Sequence, residues 1–559
     1  MHKTPGVVLI GLLALCFIAV PPLNADWLPN GIAICTANGN QNEAQIVPDG
    51  SGGAVMTWED NRHPTTDIYA QRVDAEGAVC WAADGASICA TSFNQRHPQL
   101  APDGAGGAII TWEDYGAGTS DIYAQRIDAS GAIQWPETGV AICATSGNQY
   151  NPTILSDGSG GAIICWRDMR DTYNRLYAQR VSAAGAVLWT ADGVLLCSAS
   201  PAQYNARLAT DGNHGAIVTW MDWRSASTYD IYAQRIDASG TIRWAAGGLA
   251  ISTARYDQHD PQIAFDGAGG AVIAWDDHRA PSGSPPPDVY AQRVDTLGSI
   301  MWTPDGIVIS GGYRNQGDPQ IIADGAGGTV IVWQDLRNDN WDVYLQRCNV
   351  NGTALWGSGV AVCTAAELQD TPRLAPDGTG GAVVTWRDYR NLNNDVYAQR
   401  VDGSGAVRWT PNGVPVCDLT SDQSEARLVS DGEGGAIFVW RDYRNGFWDI
   451  YATGLTEFGT GVETIFPPAA SLAQNFPNPF NPGTRVVFTL EAPSAVSLRI
   501  YDAAGRLVRV LVERDRAAGQ YEEIWDGKDA SGRTAASGIY FCRLGAGSFS
   551  QTRKMILLR

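Results

Sequence analysis

The sequence is poor in the residues from which chemistry is usually read. Its six histidines are scattered. No Cys-x-x-Cys pair occurs, and no Ser, His and Asp are spaced as a triad, so neither a metal site nor a nucleophilic hydrolase is indicated. Positive charge is scarce: 39 Lys and Arg stand against 59 Asp and Glu, a net charge of −20. Nucleic acids and anionic membranes reward the opposite sign, so neither is an expected partner. Helical periodicity of useful length is missing. After the apolar run Gly6–Val20 there is no second long one. That run is shorter than the ~20 residues that cross a bilayer. With Lys3 ahead of it and Leu23-Asn24-Ala25 behind, it reads as a signal peptide over residues 1–25, cleaved before Asp26. The expectation is an exported bacterial chain, secreted or held at the outer cell surface, with no transmembrane anchor.

What is abundant is glycine, with 63 residues, and tryptophan, with 20. Both belong to one unit of about 54 residues, repeated along the chain. Its first landmark is Gln41, Gln95, Gln149, Gln203, Gln258, Gln316, Gln369 or Gln423. An Asp-Gly follows eight residues later, from Asp49 to Asp431, and a Trp nine residues after that, from Trp58 to Trp440. A Tyr comes next, from Tyr69 to Tyr451. A second Trp closes seven copies, from Trp81 to Trp409, and the one missing from the last copy is Trp27. The start of the mature chain therefore reads as the final quarter of the eighth unit.

Each unit reads as four short antiparallel strands, as in "PQLAPD", "GAIITWED", "DIYAQRID" and "GAIQW…GVAIC". Eight such units with a split one at the ends predict an all-β, eight-bladed β-propeller over residues 26–459, its ring closed by the N-terminal strand. A β-solenoid is the alternative, but its ends call for capping repeats rather than complementary fragments. Residues 460–474, with Pro467-Pro468, read as a linker, and 475–559 as a small Ig-like β-sandwich.

That last segment carries Asn475-Phe476-Pro477-Asn478-Pro479-Phe480-Asn481-Pro482 with Thr484, then Leu498-Arg499-Ile500-Tyr501-Asp502, Gly505-Arg506, Trp525-Asp526-Gly527, Gly538-Ile539-Tyr540 and Lys554-Met555-Ile556. It resembles the C-terminal sorting domain of type IX secretion cargo, and equally the Ig-like domain of the flagellar hook-capping protein. The first resemblance implies export across an outer membrane, with the export machinery as a partner of residues 475–559, and surface attachment. The repeat resembles the β-propeller repeats of uncharacterised exported bacterial proteins, which brings no activity with it.

Several repeated features invite chemistry and are expected to be structural. Each Asp-Gly-x-Gly-Gly turn offers one aspartate, too few for a calcium loop, and suits a hairpin in which Asp bonds its own turn. The Trp-x-Asp-x-Arg ending of the second strand has its arginine in seven copies, with Gly116 in the second. Repetition around a ring favours an internal ion pair over catalysis. Cys35, Cys89, Cys143, Cys197, Cys363 and Cys417 share one slot, too far apart for disulfides, and Cys80, Cys165, Cys348 and Cys542 form no pattern. No catalytic residue, metal or cofactor is expected.

The glutamines either latch neighbouring units or present amides to a binding face. The loop between the second and third strands varies in length, longest at "HRAPSGSPPPD", and carries aromatics. Of these, Trp223, Tyr229, Trp341, Tyr389, Tyr443 and Trp448 are the candidate ligand-binding residues, alongside Tyr115, Tyr173 and Phe447. The expectation is a binding or adhesion protein for a glycan or surface protein. A glycan-cleaving enzyme and a ligand-free spacer are the alternatives. An unrepeated pair of acids at the channel mouth with raised pKa marks the enzyme, and every acid placed by the motifs repeats.

Overall fold

The computed structural model describes residues 27–459 except 90, 117, 200–201, 280–286 and 313, and residues 470–558 except 473–474, 476, 491–493, 504, 518 and 547–548. The expected signal peptide, most of the expected linker and the core of the long insertion lie outside the described residues. The chain divides into two compact units, Met1–Gly461 and Val462–Arg559.

The first unit contains eight four-stranded antiparallel sheets. In the second copy the strands are Gln95–Pro102, Ala108–Asp114, Asp121–Ile127 and Val140–Cys143, paired in chain order. The eighth sheet takes its fourth strand from the other end of the chain. Ile32–Cys35 pairs with Asp449–Leu455, placing Ile32 opposite Ala452. This repeated all-β arrangement is that of a β-propeller. Each first strand packs beside the first strand of the next sheet, and Gln423–Ser430 beside Gln41–Pro48. The first strands thus line the propeller's central channel.

Second strands are buried on both faces, so they read as continuous apolar runs, such as Ala162–Trp166. The cores lie between consecutive sheets. One joins Val55, Ile68 and Trp81 to Leu100, Ile110 and Trp112, and another joins Trp27, Ile34 and Val439 to Met56 and Trp58. In seven copies the second tryptophan ties its sheet to the next through its indole N–H. Trp81 Nε1 donates to Ala129 O at 3.1 Å and Trp135 Nε1 to Ala183 O at 3.1 Å. Trp27 Nε1 does the same to Ala75 O at 3.2 Å, so it occupies the seat the repeat lacked. Gly454 stands where other copies have arginine, and a Cβ there would lie 2.4 Å from Trp27 Nε1.

The Asp-Gly and Trp-x-Asp-x-Arg motifs are internal clamps. Asp49 Oδ1 accepts from the main-chain N–H groups of Ser51 and Gly53 at 2.7 and 2.9 Å, and its Oδ2 pairs with Arg72 at 2.7 Å. Trp58 Nε1 donates to Asp60 Oδ2 at 2.9 Å. Arg62 grips the same carboxylate at 2.7 Å, lies 3.8 Å above the Tyr69 ring and reaches Asp84 O at 2.6 Å. In the second sheet Gly116 cannot do this, and Trp112 Nε1 is left without an acceptor. The ten described cysteines are free, and burial pushes the Cys35 thiol up to about 12, as an inert core thiol requires.

The second unit is a two-sheet β-sandwich. One sheet holds Ala470–Leu472, Thr484–Leu490 and Gly519–Trp525, and the other holds Leu507–Arg516, Ser494–Asp502, Gly538–Ala546 and Phe549–Leu557. Three residues read as linker, Ala470–Leu472, are thus a strand, too short to show alternation. The Asn-Pro motif folds onto this core. Asn475 Nδ2 donates to Thr484 Oγ1 at 2.9 Å, and Phe480 packs 5.4 Å from Trp525.

Candidate active site

The repeat glutamines are latches. Gln95 is fully buried, its main-chain N–H donates to Thr66 O of the previous sheet at 2.7 Å, and its Nε2 donates to Phe93 O at 2.8 Å. They present nothing to a ligand. Just beyond each glutamine the first strand bulges, as between Arg96 and Gln99. The residue at the bulge apex is never glycine, yet it sits in the left-handed region in every sheet. These are Glu43, His97, Asn151, Asn205, Asp260, Asp318, Thr371 and Glu425, with φ between 50° and 56°. Such backbone is costly for these residues and is held only where the fold over-determines it. A bulge also re-aims its side chain, and that side chain differs from sheet to sheet.

The residue after the buried tryptophan meets the next sheet's bulge. Glu59 Oε1 accepts from the main-chain N–H of His97 at 2.8 Å, and Glu113 Oε1 from that of Asn151 at 2.6 Å. Gln334 Oε1 does the same for Thr371 at 3.2 Å. The neutral glutamine shows that capping needs an oxygen, not a charge. Glutamates 59 and 113 therefore bring charge that the fold does not require.

Glu59 belongs to the tightest titratable group. His97 Nδ1 lies 2.9 Å from Glu43 Oε2. Donor atoms of Glu43, Glu59 and His97 all fall within 4.8 Å of one another, and they form the one such set of three His, Cys, Asp or Glu among the described residues. Burial pushes the Glu59 carboxyl up, aided by the Glu43 charge and opposed by the His97 N–H bond. The bond to Glu43 lifts His97 to about 9, so its ring is an imidazolium at neutral pH. Next door, Tyr115 O–H donates to Glu113 Oε2 at 2.8 Å. The set has the ligand types for a divalent cation, but its bound proton on His97 competes with that use.

The six aromatic candidates divide. Trp223 and Tyr229 lie 4.5 Å apart in a cluster with Tyr204, 6.0 Å from Tyr229, and His259, 5.2 Å from it. Tyr204 and His259 stand one residue before the bulge apices Asn205 and Asp260, so this cluster joins the loops to the first strands. Tyr443 and Trp448 pair at 5.2 Å, with Arg441 4.4 Å over the indole. Trp341 and Tyr389 are on successive sheets, share no ring contact with the others among the described residues, and present a half-buried indole and an exposed phenol ring. Tyr204, His97 and the acids were not singled out by sequence, whereas Tyr115 was among the loop aromatics it named. Their signal was variation: the residue after the tryptophan reads Glu, Glu, Arg, Met, Asp, Gln, Arg, Arg along the copies.

Residues 477–547 match the FlgD Ig-like domain family. No curated protein matches the sequence. Among solved structures, the chain is similar to a PL25 ulvan lyase, at 13% identity and a TM-score of 0.42 over 65% of this chain and 92% of that one. It is also similar to the GH93 α-L-arabinofuranosidase of Fusarium graminearum, at 13% identity and a TM-score of 0.35 over 68% and 98%. A third is the α-L-arabinanase of Penicillium chrysogenum, at 13% identity and a TM-score of 0.33 over 55% and 93%. The expectation of a binding or adhesion protein is corrected here. These neighbours are glycan-active enzymes, and likenesses so distant assign no reaction to this chain. Acids recur at both positions, as Glu425 and Glu113, but the Glu43–Glu59–His97 group occurs once among the described residues, and burial raises the pKa of Glu59.

Proposed function

We propose that the chain is a glycan-cleaving enzyme, a glycoside hydrolase whose acid pair is Glu59 and Glu43, built on a closed ring of eight blades. The observation that carries this reading is the Glu43–Glu59–His97 group. Glu59, whose burial favours the neutral form, is the general acid. Glu43, ion-paired with His97, is the carboxylate. Their oxygens lie within 4.8 Å, closer than the roughly 6.5–9.5 Å that leaves room for a water and near the ~5 Å of a double displacement. In the first step a Glu43 oxygen bonds to the anomeric carbon as that carbon's bond to the glycosidic oxygen breaks, and Glu59 gives its proton to that oxygen so that the leaving sugar departs as an alcohol. In the second, Glu59 takes a proton from water, and that water's oxygen displaces Glu43 and frees the sugar. His97 orients Glu43. The Trp223–Tyr229–Tyr204 cluster offers apolar faces on which sugar rings stack, and Tyr443 and Trp448 offer a second platform.

The test is incubation of the full chain with a panel of polysaccharides, reading new reducing ends and, by proton NMR, the anomer first released. Retention of configuration supports the reading. Inversion, or an unsaturated product, sinks it. Export belongs to the same proposal, since a polysaccharide is met outside the cell, and residues 475–559 serve secretion or attachment. N-terminal sequencing of protein from the culture medium, starting at Asp26, checks that part.

A further inference from the structure

The fourth residue after the repeat glutamine is neutral in five sheets, as Gln45, Gln99, Thr153, Gln262 and Gln320, and arginine in three, as Arg207, Arg373 and Arg427. The neutral copies show that the fold asks only for a polar side chain. The arginines come from the fourth, seventh and eighth sheets, each at the same place on a first strand, and Arg207 and Arg427 both feel the charge of Arg373. Protein surrounds Arg427, and burial followed by the charge of Arg373 brings its guanidinium down to about 10, with Arg207 adding to the effect. Arg207 is also lowered, by partial desolvation that the Asp260 charge opposes and the Arg373 charge reinforces. Arg207 remains open to solvent, and Arg373 and Arg427 partly so, as expected of side chains lining a channel.

Two of the three have no ion-pair partner among the described residues. Arg207 Nη1 donates to Ala206 O at 3.1 Å and Arg427 Nη1 to Ala426 O at 3.4 Å. The nearby acids Asp260, Asp318 and Glu425 make no ion pair with Arg207 or Arg427 among the described residues. Asp318 pairs with Arg373 at 3.3 Å, Glu425 with Arg441 at 3.0 Å, and Asp260 Oδ1 accepts from Asn205 Nδ2 at 2.8 Å. Gathering like charges in an enclosure costs free energy that an incoming anion offsets. The site adjoins the acid pair, because the main-chain N–H of Glu43 donates to Glu425 Oε2 at 3.4 Å, two residues from Arg427.

We propose that Arg207, Arg373 and Arg427 form an anion subsite in the channel, so that the glycan cleaved at Glu43 and Glu59 carries carboxylate or sulfate groups. This rests on the hydrolase reading for the cleavage, and on the arginines alone for the binding. Guanidinium forks match both anions through paired N–H donors.

The test is calorimetry on the full chain with Glu59→Gln, so that probes stay intact. The probes are oligogalacturonate and its methyl ester, and a sulfated galactan oligosaccharide and its desulfated form. The expected result is that one anionic probe binds at least tenfold more tightly than its neutral twin, with affinity falling as salt rises. Oligogalacturonate assigns carboxylate, and the galactan assigns sulfate. Arg207→Gln/Arg427→Gln then weakens that probe by roughly a hundredfold with little change in Tm, because Gln occupies this position in four other sheets. Equal binding of charged and neutral twins, no binding of any probe, or unchanged affinity in the double variant overturns the subsite. Should the double variant unfold, Arg207→Lys/Arg427→Lys keeps the charge and still predicts weaker binding through the lost forks. Turnover that survives Glu59→Gln fails the hydrolase reading and leaves the subsite to stand on its binding data.

Discussion

At one end of each first strand an aspartate bonds its own turn, and in seven sheets, from Asp49–Arg72 to Asp377–Arg400, the same arginine holds it. At the other end, the bulge apex carries Glu43, His97, Asn151, Asn205, Asp260, Asp318, Thr371 or Glu425. The backbone at both ends is equally regular. Only the side chains differ in kind: one end repeats its charges and satisfies them internally, the other varies them and leaves some at the channel. Repetition marks what every sheet needs to fold, and departure from it marks what the molecule needs once.

The sharpest way to break this comparison is to remove charge at the varied end. Glu43→Gln keeps the shape and is expected to lower kcat by roughly a thousandfold or more, with an unchanged far-ultraviolet spectrum and Tm. A mere drop in stability would place Glu43 with the scaffold. The repeated end behaves in the reverse way. Asp222 is fully buried, accepts from Trp220 Nε1 at 2.8 Å and pairs with Arg224 at 2.7 Å. Asp222→Ala strands both partners and is expected to cost about 3–5 kcal/mol, measured by urea denaturation. A cost below about 1 kcal/mol would show the clamps to be ornamental.

The fold was legible because its devices repeat. Trp58 and its seven counterparts, the Asp-Gly turns and the strand alternation announced themselves by recurrence, and the absence of one closing tryptophan pointed to Trp27. The candidate site was not legible, for the same reason. Glu59 occupied the unspecified position of Trp-x-Asp, and nothing in the sequence shows that it caps a bulge on the next sheet, 38 residues on. The bulge itself leaves only a faint trace, a Pro or Ala after each apex, as at Pro98 and Ala44. Aromatic loops were visible and Trp223 does meet Tyr229, but their neighbours Tyr204 and His259 come from first strands, which only the packing brings together.

Acidity offers a finer separation. Glu59 is held above the ordinary carboxylate range, so turnover is expected to fall on the alkaline side as its proton is lost, with the limb above the ~4.3 of a free glutamate. Stability moves with His97. Its folded pKa of about 9 exceeds the unfolded value of 6.5, so the stabilisation is full below pH ~6.5 and disappears as pH rises through 9. His97→Gln should flatten that part of a Tm-against-pH curve, and an unaltered curve would deny the pairing with Glu43.

The smallest expected effect is a repair. Gly116→Arg restores the missing clamp in the second sheet and gives Asp114 a guanidinium partner, with Asp114 Oδ1 shifting from its present 2.8 Å distance to the new Cβ. A gain of about 0.5–1.5 kcal/mol in urea denaturation, without any change in turnover, would confirm that this motif serves folding alone.

The central claim is that a side-chain group formed once does the chemistry on a repeated frame, and one paired measurement meets it most directly. Reducing-end release from the best polysaccharide substrate is measured for the full chain and for Glu59→Gln, with Tm recorded on the same samples. Release by the native chain is expected, with a loss of roughly a hundredfold or more in the variant at an unchanged Tm. Undiminished release by Glu59→Gln would contradict it.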